Sequence, residues 1–420
     1  MNRVNRIIVA VVLLMVCCEA FADTLTGAFD SRFRTLEVHV EGDELSPPIA
    51  NFAEGDRIIV EWDELAEERS YLRYRLLHCD YNWIPSGLVE SEFLDGFNEA
   101  EVVDWDYSQA TTVHYVHYTV VLPNQHMMPK ISGNYLMQVY DEGNPDEVLL
   151  QARFSVAESV VDLRAEVSSR TDIDYNASNQ QLSVAVDVKQ ENVHDIYNDL
   201  KVVITQNGRV DNELVVSRPL RVSGKVAYFE HLRPMIFAAG NEYRRFETVS
   251  TVYPGMKIAE ISYNDPYYHM TVSEDYPRCA DNYAYDRTQH GRFKIREYNY
   301  DEGSDLAADY VMTHFTLKMP RNDNFDFFID GDLTYRRFSP ETRLHYNYNT
   351  EAYEATLLLK QGSYNYQYLA VPVGGNKGVT GVVEGDFYQT VNEYVVKVYY
   401  RHPGGRYDRL LGVTAVYSGE

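Results

Sequence analysis

Tyrosine alternates with polar residues along several stretches of this chain. Tyr364, Tyr366 and Tyr368 flank Asn365 and Gln367, and Tyr346 and Tyr348 sit among His345, Asn347 and Asn349. A period of two is what half-exposed β-strands produce, because successive side chains point to opposite faces. Similar alternating or β-branched runs occupy 36–40, 57–62, 71–77, 114–122, 135–140, 182–188, 200–204 and 394–400. Turn formers separate the runs, among them Gly143-Asn144-Pro145, Asn207-Gly208 and Pro403-Gly404-Gly405. Helical periodicity is nearly absent. It predicts one short helix over 86–94, capped by Ser86, and another around 193–200.

The pattern predicts an all-β chain of serial immunoglobulin-like β-sandwich domains. Boundaries are expected at the short polar Ala157-Glu158-Ser159 and at the acidic Asp301-Glu302-Gly303-Ser304-Asp305. The expected division is a signal peptide at 1–22, a first sandwich at 23–157, a second at 158–304 and a third at 305–420. No internal repeat is regular enough for a solenoid.

Arg3 and Arg6 precede an apolar stretch over 7–16, and Ala20-Phe21-Ala22 supplies the small residues that signal peptidase inspects. Cleavage is expected after Ala22. Val16 before Cys17, and Cys17 before Cys18, disfavour a lipoprotein site, which takes a small residue there. No later stretch has the roughly 18 consecutive apolar residues of a membrane helix. The expectation is an exported, soluble, periplasmic protein. Its formal net charge of −25 repels phosphate backbones and anionic lipid, which argues against nucleic-acid and electrostatic membrane binding. Cys79 and Cys279 remain after processing, too few for a disulfide scaffold. They are read either as a bridge between two domains or as two buried thiols.

The search for chemistry is mostly negative. Asp172-Ile173-Asp174-Tyr175-Asn176 begins like a calcium loop, but Ala177 stands where the sharp turn takes glycine and Ser183 where a bidentate glutamate belongs. Asp323, Asp326, Asp330 and Asp332 crowd one hairpin without a spacing that selects a cation. His114 and His117 are an odd number apart, so a strand points them to opposite faces. Among Trp62, Trp83 and Trp105, Trp83 reads as sandwich core, as a sugar platform or as an interface anchor. No nucleophile elbow, phosphate loop or dinucleotide fingerprint is present. The reading is a protein that is not an enzyme, with no catalytic, cofactor or metal residues and no assignable interface residues.

One block stands out: Leu76-Leu77-His78-Cys79-Asp80-Tyr81-Asn82-Trp83, continuing through Pro85-Ser86 to Phe93 and Phe97 as aromatic anchors. It is followed in order by Leu122-Pro123-Asn124, Ser132-Gly133-Asn134-Tyr135, Gln206-Asn207, Gly240-Asn241-Glu242-Tyr243-Arg244, Leu359-Lys360-Gln361-Gly362 and Asn392-Glu393-Tyr394. In these motifs the chain resembles the plug protein family of the type IX secretion system. The resemblance implies a non-enzymatic periplasmic plug in the inner mouth of an outer-membrane β-barrel translocon, the partner it implies. A second reading is a secreted carbohydrate-binding accessory protein. The region from 309 onward faintly resembles the immunoglobulin-like modules beside glycan-binding domains, in Phe315-Thr316-Leu317, Phe327-Phe328-Ile329-Asp330-Gly331 and Gly362-Ser363-Tyr364-Asn365-Tyr366. That reading needs the Tyr364, Tyr366, Tyr368 row to be an exposed strip; the other possibility is a core face.

Overall fold

The computed structural model describes residues 24–189, 191–300 and 303–419. The signal peptide expected at 1–22, with Cys17 and Cys18, lies outside them. Three β-sandwiches result, each with its own apolar core.

In the first, the strand Gly133–Asp141 lies between Leu72–Cys79 and Asn144–Val156, with Gly27–Ala28 and Ala100–Glu101 at the edges and Ile49–Ala50 added in parallel. The facing sheet runs Phe33–Val40, Ile58–Glu64, Val116–Leu122, Asp104–Tyr107. Alternation sends Ile58, Val60 and Trp62 inward from one strand, and Trp62 stacks on Tyr118 of the next at 5.6 Å.

The middle sandwich packs Asp162–Ser168, Asn179–Asp187, Val226–Phe229 and Arg221–Ser223 against Leu214–Val216, Leu200–Gln206, Glu393–Tyr400 and Arg409–Tyr417. The third packs the long strand Gly362–Pro372 and its neighbours Arg244–Glu247, Phe293–Ile295 and Phe325–Asp330 against a five-stranded sheet. That sheet runs Ile258–Asn264, Tyr267–Val272, Tyr310–Leu317, Ala352–Lys360, His345–Asn347.

The boundary expected at 304/305 does not divide the sheets. The third sandwich is nested inside the middle one, which opens with Asp162–Ser168 and closes with Glu393–Tyr400 and Arg409–Tyr417. Val202 pairs with Val398, Ile204 with Val396 and Leu200 with Tyr400. Both strands are buried on both faces, so each needs cover on two sides, and the apolar match of Leu200, Val202 and Ile204 with Tyr400, Val398 and Val396 outweighs distance along the chain.

The expected helices also shrink. Only one turn, Glu90–Phe93, forms in the first segment, because Ser86 turns back to bond His78 instead of capping it. Around 193–200 the chain makes turns held by the Asp195 carboxylate, which accepts from the Tyr197 amide at 2.9 Å. Among the described residues, no helix is long and apolar enough to cross a membrane.

Candidate functional site

Most of the residues singled out for chemistry are engaged structurally. Asp172 accepts from Gln181 and pairs with His231, and Asp174 is taken up by Thr171, Ser178 and Asn179. Of the hairpin aspartates, Asp323 pairs with Arg321, Asp326 with Arg343 and Asp332 with Arg336, while Asp330 is buried against Gln367. His114 is exposed beside Glu67, and His117 faces the interior. Among the described residues, no three His, Cys, Asp or Glu side chains gather as a metal site. Cys79 and Cys279 are both free. Cys79 is buried, and burial pushes its thiol up to about 12; Cys279 is exposed, against the reading of two buried thiols.

The tyrosine row is core. Tyr364, Tyr366 and Tyr368 are 2%, 0% and 0% exposed, which removes the strip that sugar binding required. Its strand is not half-exposed either, since Asn365 and Gln367 are buried on the other face. Gln367 donates there to the Tyr243 hydroxyl at 3.0 Å and to Asp330 at 2.9 Å. Of the two aromatic anchors, Phe93 is buried and Phe97 is exposed.

Many of the motif residues lie at the seams between sandwiches, although Leu122-Pro123-Asn124 does not: Leu122 is core of the first sandwich and Asn124 donates to Tyr74 within it. At the seam between the first and the middle sandwich, the Asn134 side-chain oxygen accepts from Tyr399 at 2.7 Å and from Ser155 at 2.8 Å, while its amide donates to the Asp80 carbonyl. The Tyr81 amide donates to Asp408, which also holds Arg401 at 2.7 Å. Ser132 donates to Glu158, and Glu158 pairs with Arg409. Ala157, Val203, Tyr399 and Leu410 supply the apolar part of this seam. His78 is buried between Ser86 and the Ser132 carbonyl, and burial pushes it down to about 4, so the ring is neutral at pH 7. Trp83, at φ +65, lies in a backbone region disfavoured for a bulky residue. Its ring takes the Arg153 guanidinium at 4.3 Å and the Lys397 ammonium at 5.6 Å, one from each sandwich.

Between the first and third sandwiches, Asp63 accepts from Lys360 at 2.6 Å, from Tyr310 at 2.6 Å and from His117 at 2.8 Å. Lys360 also donates to the Asp305 carbonyl and lies 4.3 Å from the Tyr115 ring centroid. Burial pushes the Asp63 carboxyl up, but the Lys360 charge and the His117 hydrogen bond outweigh it and hold it below the usual range. Burial also pushes His117 down, and its hydrogen bonds to Asp63 and Glu61 override that to lift it to about 9. Asp309 caps the loop beside them, accepting from the Thr112 and Val113 amides at 2.8 and 3.0 Å. Gln361 in turn accepts from the Asp309 amide at 2.8 Å.

The two chain crossings between the middle and third sandwiches are tied together by amides. Asn392 donates to Gln180 and to the Ala239 carbonyl, Asn207 donates to Asn392, and Asn241 donates to the Glu384 carbonyl at 2.8 Å. Arg292 pairs with Glu393 at 2.5 Å. Arg209 donates to the Gly378 carbonyl while its partner Asp211 accepts from the Gly378 amide, both at 2.8 Å.

Sequence reasoning missed Asp63, Glu158, Arg292 and Arg409. The available signal was charge inside or at the end of an apolar strand, as at Trp62-Asp63-Glu64 and Leu359-Lys360. Mechanically, this arrangement ties the three domains together through buried polar contacts.

Residues 33–158 match the family model described as the type 9 secretion system plug protein 1st domain. The chain is also similar to a solved structure, the crystal structure of a hypothetical protein from Parabacteroides merdae ATCC 43184. The two are 39% identical, the match covers 94% of this chain and 99% of that one, and the TM-score is 0.92. A comparison with curated proteins gave no match.

Proposed function

We propose that this chain, which belongs to the type IX secretion system plug family, is a non-enzymatic periplasmic stopper for the translocon barrel of that system. It occupies the inner mouth of the barrel until cargo is exported. A pore wide enough for folded cargo leaks unless something stiff fills it, and a close-packed β-body resists compression. The observation that carries the reading, beyond the family itself, is the set of buried polar seams. Hydrogen bonds and ion pairs such as Asp63 with Lys360 have a narrow preferred geometry, so they fix one arrangement of the three sandwiches where a purely apolar interface tolerates sliding.

A stopper must also leave. Its contact with the barrel is therefore polar and reversible, and the net charge of −25 suits a basic rim on the partner. Deleting the gene should admit bulky antibiotics that the outer membrane normally excludes, and capture of the tagged protein in mild detergent should recover the barrel. Raising salt should weaken that capture. An intact permeability barrier in the deletion strain, together with recovery of no outer-membrane barrel, overturns the proposal.

A further inference from the structure

The three sandwiches line a partly open cavity of about 230 Å³ where they meet. Trp83, Leu36 and Ile49 line it from the first, Val395 and Lys397 from the middle one and Phe293 from the third. Lys397 is 7% exposed. Its ammonium rests over the Trp83 ring and makes no hydrogen bond or ion pair with a described residue; burial pushes it below the usual lysine range, Glu213 opposes that through space and Arg153 adds to it. Burying an ammonium without a partner is costly, so such a group is kept where something else completes it.

The other cations on this wall are engaged. Arg153 donates to the Thr24 carbonyl at 2.6 Å, Arg292 holds Glu393, Arg336 holds Asp332 at 2.7 Å, and His39 holds Glu61 at 3.1 Å. Of the acids, Glu44 pairs with Lys294 at 2.7 Å. Burial pushes the Glu37 carboxyl well above the usual range. Glu213 also lines the cavity and makes no ion pair with a described residue. Lys397 and Glu213 are thus a cation and an acid of the cavity that have no ion partner among the described residues, beside the apolar surface of Leu36, Ile49, Phe293 and Val395.

We propose that this three-way junction binds a small molecule carrying a carboxylate on an apolar body, with the carboxylate seated on the Lys397 ammonium and the body against Ile49, Phe293 and Val395. The cavity is smaller than the roughly 300–1,000 Å³ of drug-sized ligand sites, which suits a single ring with a short acid arm. Glu213 disfavours a second carboxylate and admits an ammonium. Because the walls come from all three sandwiches, an occupant stabilises their assembled arrangement by mass action.

Three probes of nearly equal size test the chemistry on the purified full mature chain: 3-phenylpropionate, phenylalanine and phenethylamine. The two acids should bind by calorimetry and raise the melting temperature, and the amine should do neither. Lys397→Met keeps the volume and removes the charge; it should weaken both acids about tenfold or more. Glu213→Gln should weaken phenylalanine relative to 3-phenylpropionate. Val210→Phe, which fills the cavity, should abolish binding with Lys397 intact. Failure of both acids to bind at millimolar concentration, equal binding of the amine, or unchanged binding by Lys397→Met overturns the proposal. If Lys397→Met does not fold, the acid and amine comparison on the native protein together with Val210→Phe decides.

Discussion

Lys360 and Asp63 meet at 2.6 Å across the seam between the third and first sandwiches, each with a side chain only 1% exposed. A buried pair of this kind is weak evidence for stability as a pair, yet losing one member leaves an uncompensated charge in the interior. Lys360→Met should therefore cost about 3–5 kcal/mol, measured by urea denaturation. Adding Asp63→Asn in the same chain should recover much of the loss. A double variant as unstable as the sum of the two single ones would show that the two residues act independently.

His117 gives this seam an alkaline limit. Its folded pKa of about 9 lies above the ordinary histidine value, so its contribution is complete below about pH 6.5 and is lost as pH rises through about 9. His78 works in the opposite direction. With a folded pKa of about 4, it favours the native state above about pH 6.5 and withdraws that support as pH falls through about 4. Stability measured against pH should fall away on both sides of the region near 6.5. His117→Asn should flatten the alkaline side and His78→Gln the acid side; an alkaline limb unchanged in His117→Asn removes the assignment.

Gly133 is fixed by close approach. Its φ is +134, and a Cβ there would stand 2.5 Å from the His78 ring nitrogen Nε2 and 3.0 Å from the Asp408 carbonyl oxygen, a group of the middle sandwich. Overpacking and backbone strain each cost roughly 1–3 kcal/mol. Gly133→Ala should lower the denaturation midpoint and loosen the first sandwich from the middle one, read by faster hydrogen exchange at Ala157 and Leu410.

The two cysteines should separate in labelling. Cys279 is exposed, whereas Cys79 is buried with its thiol pushed up to about 12, so little reactive thiolate forms there. Alkylation of the native protein followed by peptide mapping should modify Cys279 and spare Cys79. Unfolding in urea should expose both. Modification of Cys79 in the native state would show that the first seam opens readily.

Much of this fold is legible because strand periodicity is a local property. Tyr364, Tyr366 and Tyr368 announce one face of a strand without help from the rest of the chain; that this face turns inward is shown only by its burial in the fold. The burial of Asn365 and Gln367 is not legible, because their partners come from elsewhere in the chain: Tyr243 and Asp330 for Gln367 and the Gln289 amide for Asn365. The nesting is hidden for the same reason: the pairing of Val202 with Val398 leaves no mark between them. Lys360 beside Leu357, Leu358 and Leu359 does advertise a charge that must find a partner. Which partner, Asp63, is decided only once two sandwiches meet. The motifs could be recognised in order, but the role of many of them as seam residues could not.

The nesting of the third sandwich carries a consequence for synthesis and export. A polypeptide that enters the envelope amino end first delivers Leu200–Gln206 long before the strands Glu393–Tyr400 and Arg409–Tyr417 that flank and complete its sheet. The intervening sandwich must arrive in between, leaving that early strand with an open flank in the meantime. An open strand edge invites pairing with foreign chains, so this is the stretch a chaperone has most reason to guard, and trimming the last thirty or so residues should injure the middle sandwich more than the third.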